Sequence, residues 1–288
     1  RLEQNYRSTR MILQAANYLV KHNVNRKEKS LWTENQEGEG LTLYQARDER
    51  DEARFVTDMI RLLRDEQGRP NSDFAVLYRT NAQSRVLEEH LMKEGIPYRI
   101  YSGLKFYERM EIKDIIAYLR LIHNPADTFS FVRVVNLPKK GIGKGTLQKV
   151  LEYAEEQELD ILDALAEAPY IPGLQAKAVN SLTAFRDLIL KFRQDAQKGK
   201  PVTELTEKIL EETGYLPALK QENTVEALSR IDNLYEFLSV TAEYDNNIGE
   251  YLEDYNLGEE QNLIILGGFL EQVALVSDID NYDESEDA

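Results

Sequence analysis

Apolar positions along this chain repeat with two periods, and the change between them falls near residue 106. Before it, short β-like runs alternate with helix-period segments, the pattern of βαβ units that build a parallel sheet covered by helices. Ser8 is placed to cap a helix carrying Met11, Ile12, Ala15, Ala16, Leu19 and Val20, ending near His22 and Asn23. Residues 41–46 predict a strand, Arg50 to Leu63 a helix, and Phe74 to Tyr78 a buried strand. Thr80 or Asn81 can cap a helix from Ala82 to Lys93, which Gly95 and Pro97 break before another strand over Tyr98 to Tyr101. The expected fold class is α/β, followed by a mostly α-helical domain.

That second part begins where strand signals nearly stop. Amphipathic helices are predicted over Ile112 to Ile122, Leu147 to Gln157, Ala176 to Arg193, Val202 to Thr213 and Val225 to Tyr244, joined by short Pro- and Gly-containing connections. Three segments follow: 1–106, 107–274 and an acidic return loop over 275–288. The closing run Asp278, Asp280, Asp283, Glu284, Glu286 and Asp287 reads as a solvated, mobile loop or tail. Tyr235, Tyr244, Tyr251 and Tyr255 fit half-buried packing. Trp32 fits an anchor for the loop before Leu41, and Glu108 and Glu111 beside Arg109 and Lys113 fit ion pairing along a helix.

With 288 residues, 42% hydrophobic and 30% charged, the chain has material for one large domain or two smaller ones. No apolar run approaches the roughly 18 to 20 residues that span a bilayer, and the start has neither Met nor a signal pattern. There is no Cys, and His22, His90 and His123 have no ligand spacing. The expectation is a soluble, cytoplasmic protein without metal ligands or membrane contact, cut from a longer parent. A net charge of −16 argues against a polyanionic partner until its distribution is read. From Arg133 to Lys149 there are five basic residues and no acid, whereas Leu151 to Ala168 holds seven acids and no base.

Two places carry candidate chemistry. Gln4 to Ser8 puts Tyr6 and Arg7 directly before an expected helix N-terminus, where free N–H groups and the helix dipole favour phosphate. Spacing alone does not separate that reading from a surface salt bridge, and favours the latter. Gly141, Ile142 and Gly143 sit between two helical patterns in a helix-hairpin-helix arrangement. Glycines there let the backbone approach a phosphate while Lys139, Lys140 and Lys144 supply charge without reading sequence. A tight helix connection is the alternative at that position.

The longer runs carry a resemblance. Leu2-Glu-Gln-Asn-Tyr-Arg-Ser-Thr9 resembles motif IV of the UvrD/Rep/PcrA family of superfamily-1 DNA helicases, and Phe74-Ala-Val-Leu-Tyr-Arg-Thr-Asn-Ala-Gln-Ser-Arg85 is similar to its motif IVa. Gly103 to Asp114 resembles the exit from subdomain 2A, and Leu137-Pro-Lys-Lys-Gly-Ile-Gly-Lys-Gly-Thr146 the GIG motif of the helical insertion 2B. Fainter matches at Leu31 to Asn35 and Val276 to Asp280 extend the likeness over nearly the whole chain, nearest to members from low-GC Gram-positive bacteria.

That resemblance implies a partial RecA-like sheet of P-loop NTPase type over 1–106, then helical 2B. It implies that Tyr6 stacks on adenine, with Gln4 in the same nucleotide-binding set, and that Arg7 reaches the γ-phosphate across a cleft as an arginine finger. Arg79 and Asn81 would touch single-stranded DNA, and Lys139, Lys140, Gly141, Ile142, Gly143, Lys144 and Thr146 duplex backbone. The parent would be an ATP- and Mg²⁺-dependent 3′ to 5′ helicase of DNA repair and replication. Its partners would be single-stranded and duplex DNA, the ATP-binding domain of the same parent, and repair or transcription proteins. No G-x-x-x-x-G-K-[ST] occurs, so this stretch alone is expected to be inactive and to bind no cofactor. A regulatory partner-binding module and the helicase arm of a helicase-nuclease are the alternatives. Arg85 is left as a structural ion pair.

Overall fold

The computed structural model describes residues 3–22, 30–101, 103–252 and 259–282, the side chains of 249–252, 259–261 and 276–282 excepted. Packing divides the chain into two units, Arg1–Glu52 and Ala53–Ala288, so the change of period at residue 106 falls inside the larger one.

Helices form over each segment in which the period of 3.6 predicted one, and over further segments in which it predicted none. They are α1 (Arg10–Lys21), α2 (Glu49–Gln67), α3 (Ser84–Lys93), α4 (Met110–His123), α5 (Thr128–Val134), α6 (Lys144–Glu156), α7 (Ile161–Ala166), α8 (Ala176–Gln197), α9 (Val202–Glu212), α10 (Tyr215–Glu222), α11 (Val225–Leu252) and α12 (Glu259–Tyr282). Asp278 and Asp280 continue α12 where an acidic loop was expected, while Asp283, Glu284, Glu286 and Asp287 lie outside the described residues, as does Tyr255.

The expected parallel sheet is not formed. Among the described residues there is no strand, and the one isolated bridge joins Gln4 and Trp32. Residues 41–46, 74–78 and 98–100 have strand-like composition, but a strand exists only where a neighbour's N–H and C=O groups complete its ladder. Leu43 and Leu77 are 94% and 95% exposed, so neither the lateral partners nor the covering layer of a RecA-like sheet is in place. The α/β expectation is therefore overturned: the described structure is helical.

The core of the larger unit is built around α4, which is buried on nearly every side. Ile112, Ile115, Leu119, Leu121 and Ile122 are fully buried, the signature of a central rather than a surface helix. α5, α8, α9, α11 and α12 surround it. Phe131, Phe185, Ile189, Phe192, Phe237 and Phe269 fill the gaps, each contributing about 1.5–3 kcal/mol by leaving water. A second small cluster joins Ile60 of α2 to Leu91 and Ile96 around α3.

A polar network crosses this unit. Arg109, expected in ion pairing along its helix, is buried, donating from Nη1 to Asn233 Oδ1 (2.9 Å) and from Nη2 to Ser84 Oγ (2.7 Å). Asn233 Nδ2 donates in turn to the buried Glu111 (2.6 Å). Arg85, also buried, bridges Glu89 (2.8 Å) and Glu236 (2.5 Å), which ties α3 to α11. Long-range partners of this kind leave no trace in helical spacing.

Candidate nucleic-acid interface

In the smaller unit, residues 3–8 are held by their backbone. Asn5 N donates to Trp32 O and Trp32 N to Glu3 O, so Trp32 is an anchor through its main chain while half of its surface stays exposed. Asn5 Oδ1 accepts from the N–H groups of Arg7 (2.9 Å) and Ser8 (2.8 Å), an Asx turn. Asn35 Nδ2 donates to the carbonyls of Tyr6 and Ser8, both 3.2 Å.

This scaffold presents the side chains of Tyr6 and Arg7 outward. Tyr6 is 78% exposed and bonded through its hydroxyl to Gln4 Oε1 (2.7 Å), leaving the ring face open. Arg7 is exposed and has no ion-pair or hydrogen-bond partner for its guanidinium among the described residues. The helix beside them differs from expectation. Thr9 rather than Ser8 precedes α1, and its first N–H groups are taken, Arg10 N by Gln36 O and Met11 N by Glu37 O. An anion at this site would therefore meet the Arg7 fork, not two of the free backbone donors the sequence suggested.

In the larger unit, Arg79, Thr80 and Asn81 form an exposed turn at the head of α3. Gln83 Oε1 accepts from the N–H groups of Arg79 (2.9 Å) and Thr80 (3.1 Å). Ser84 Oγ donates to Asn81 O (2.9 Å) and receives Arg109, so the turn is tied to the buried network.

The second candidate element is the connection from α5 to α6. Tyr118 in the core donates its hydroxyl to Val134 O and Leu137 O, fixing the end of α5; burial holds that phenol well above its usual range. Asn136 then organises the turn: its Oδ1 accepts from Lys140 N (2.7 Å) and Ile142 N (3.2 Å). Ile142 is buried beneath, and Gly141 takes φ +78°, a region that disfavours any side chain. Gly143 precedes α6, so Lys144 and Thr146 occupy its first turn.

The five cations of this segment have different fates. Lys139 and Lys144 are exposed without a partner among the described residues. Lys140 turns inward: its Nζ lies 5.4 Å from the centre of the Phe185 ring, and burial lowers its pKa. Arg133 pairs with Asp114 (2.7 Å), and Lys149 Nζ donates to Gly173 O (2.7 Å). Lys140 is thus a support of the turn and not part of its charged face, a placement the count of lysines did not disclose. Sequence reasoning also missed an open groove of about 370 Å³ between α4, α5 and α12, edged by Lys113, Arg120, Arg133 and the exposed Phe129.

Among the described residues no group of carboxylate or imidazole ligands is placed to hold a metal ion, and no helix is long and apolar enough to cross a membrane. Comparison with known proteins assigns the chain to a family. Residues 1–287 match the model of the UvrD-like helicase C-terminal domain. The chain is 46% identical over 286 residues to the ATP-dependent DNA helicase PcrA of Bacillus subtilis, covering 99% of this chain and 37% of that protein. The PcrA proteins of Staphylococcus aureus and Staphylococcus epidermidis are 44% and 43% identical over 282 residues, again covering 98% of this chain and 37% of theirs. The chain thus spans little more than a third of the length of these curated relatives.

Proposed function

Because the chain belongs to the UvrD-like helicase C-terminal domain family, we propose that it is the DNA-tracking and ATP-completing part of an ATP-dependent 3′ to 5′ DNA helicase working in the cytoplasm in repair and replication. The observation that carries this reading is the α5–α6 hairpin. Gly141 at φ +78° and the uncharged backbone of the turn lie between Lys139 and Lys144, two cations with no partner among the described residues, in a chain whose net charge is −16. Cations left unpaired amid surplus carboxylates favour a polyanion from outside, and a glycine turn that offers no side chain to a base favours backbone over sequence.

Arg79 and Asn81 extend the reading to single-stranded DNA, since both side chains are exposed on a turn whose backbone is fixed by Gln83 and Ser84. Tyr6 and Arg7 fit one side of a nucleotide: an open aromatic face for adenine and an unpaired planar guanidinium for phosphoryl oxygens. Lacking any G-x-x-x-x-G-K-[ST], these residues complete a site whose phosphate cradle and Mg²⁺ ligands come from another domain. Bound there, ATP supplies the phosphoryl group; Arg7 supplies a fixed positive charge beside it and senses its loss.

The test is a titration of duplex DNA with a 3′ single-stranded tail at several salt concentrations, comparing the native protein with Lys139→Glu/Lys144→Glu. The variant should bind more weakly with a flatter dependence on salt. Equal affinity and equal dependence would overturn the hairpin reading.

A further inference from the structure

The charged face of the hairpin is short of the cations its sequence promised, and a different helix makes up the deficit. Lys177, in the first turn of α8, brings its Cε to 3.9 Å from where a side chain on Gly141 would begin. It is exposed and has no partner among the described residues. One turn further along α8, Ser181 Oγ donates to Lys140 O (3.2 Å), so this end of α8 is fastened to the turn itself. From this arrangement we propose that Lys177 is a third phosphate-binding cation of the duplex-binding surface, taking the place on that face that Lys140 vacates. The inference rests on the DNA reading above.

Two further features support it. A lysine in the first turn stands at the positive end of the helix dipole, where it costs stability unless an anion is present. α8 has no acid in its first turn, nor does α6, whose first residue is Lys144, although acids outnumber bases 51 to 35 in the whole chain. Both helix starts that flank the turn therefore carry lysine and lack the carboxylates that would ordinarily neutralise them. Lys140, in contrast, has spent its charge on the Phe185 ring, and its Nζ is covered by surrounding atoms.

The experiment measures the affinity of the intact protein for a blunt duplex of arbitrary sequence across a salt series. Every phosphate that is no longer neutralised should flatten the slope of log K against log salt by about 0.9. Lys177→Gln is expected to leave about one phosphate without its cation, Lys177→Arg to keep the native slope, and Lys140→Met to keep it as well. The melting temperature of Lys177→Gln should be equal to or above the native value, because an exposed cation has left the positive end of a helix. A native slope for Lys177→Gln, alongside a flattened one for Lys139→Gln/Lys144→Gln, would overturn the role of Lys177 while leaving the hairpin in place. Native slopes for both would remove the duplex reading and this inference with it. A flattened slope for Lys140→Met at native melting temperature would return the phosphate to Lys140 and refute the exchange.

Discussion

Arg109 donates a 2.7 Å hydrogen bond to the hydroxyl of Ser84, the residue that also fastens the Asn81 carbonyl. An arginine at the entry of α4 thus steadies the turn that carries the exposed Arg79 and Asn81, and Asn233 of α11 steadies the arginine. Removing a buried, hydrogen-bonded charge leaves its partners without compensation. Arg109→Met is expected to lower unfolding free energy by about 3–5 kcal/mol, and Ser84→Ala by about 1–3 kcal/mol. Urea unfolding measures both, and a loss for Arg109→Met no larger than that of an ordinary surface substitution would show that the network does not support the fold.

Arg7 should behave in the opposite way. Exposed and without partners among the described residues, it contributes little to folding, so Arg7→Ala should change stability by no more than about 0.5 kcal/mol. If Arg7 acts as the proposed arginine finger, ATP hydrolysis by the whole helicase, with the domain that cradles the phosphates present, should fall by about 10³- to 10⁵-fold in this variant. Steady-state hydrolysis with and without DNA decides it; a fall of only a few fold would leave Arg7 as a surface residue.

Asn136 organises the hairpin without bearing charge. Asn136→Leu strands the N–H groups of Lys140 and Ile142, at a cost of about 1–3 kcal/mol. Duplex affinity should drop while its salt dependence stays native, because the turn loosens but no cation is removed. A titration in parallel with Lys139→Glu/Lys144→Glu separates the loss of shape from the loss of charge.

Several phenols should resist ionisation. Burial first, then the carboxylates of Asp245 and Glu271, push Tyr244 up to about 12; burial and Asp114 hold Tyr118 and Tyr215 above the ordinary range. A phenol whose folded pKa exceeds its unfolded value of about 10 stabilises the fold fully below pH ~10, and that stability drains away as pH rises toward the folded pKa. Stability should therefore fall between about pH 10 and 12, and Tyr244→Phe should soften the fall. Alkaline denaturation followed by circular dichroism checks it, and an unchanged profile for Tyr244→Phe would assign the effect to the other tyrosines.

What could be read from sequence follows from which interactions are local. α4, α8, α9 and α11 were legible because an apolar stripe at helical spacing is written within the helix that uses it. Phe74 to Tyr78 misled for the complementary reason: its apolar run describes what the segment would bury, not whether a neighbour is present to pair with it. Lys139, Lys140 and Lys144 show the same limit at the site. Their spacing marked the hairpin, but only the position of Phe185, far along the chain on α8, decides that the middle lysine faces inward. Arg109 and Asn233, equally distant in sequence, were invisible as a pair.

α11 is held at two places along its length. In its first half Asn233 and Glu236 grip Arg109 and Arg85, and further along Asp245 accepts from Val202 N, Thr203 N and the Thr203 hydroxyl, capping α9 where Pro201 has no side-chain cap to give. Asp245 lies about 14 to 18 Å along the helix from Glu236 and Asn233 and points to a different side. A shaft keyed at two angles can neither spin nor slide without shearing one of its keys. Displacing α9 along or around α11 would therefore strain the Asp245 bonds, and turning α11 itself would strain those of Asn233 and Glu236 as well.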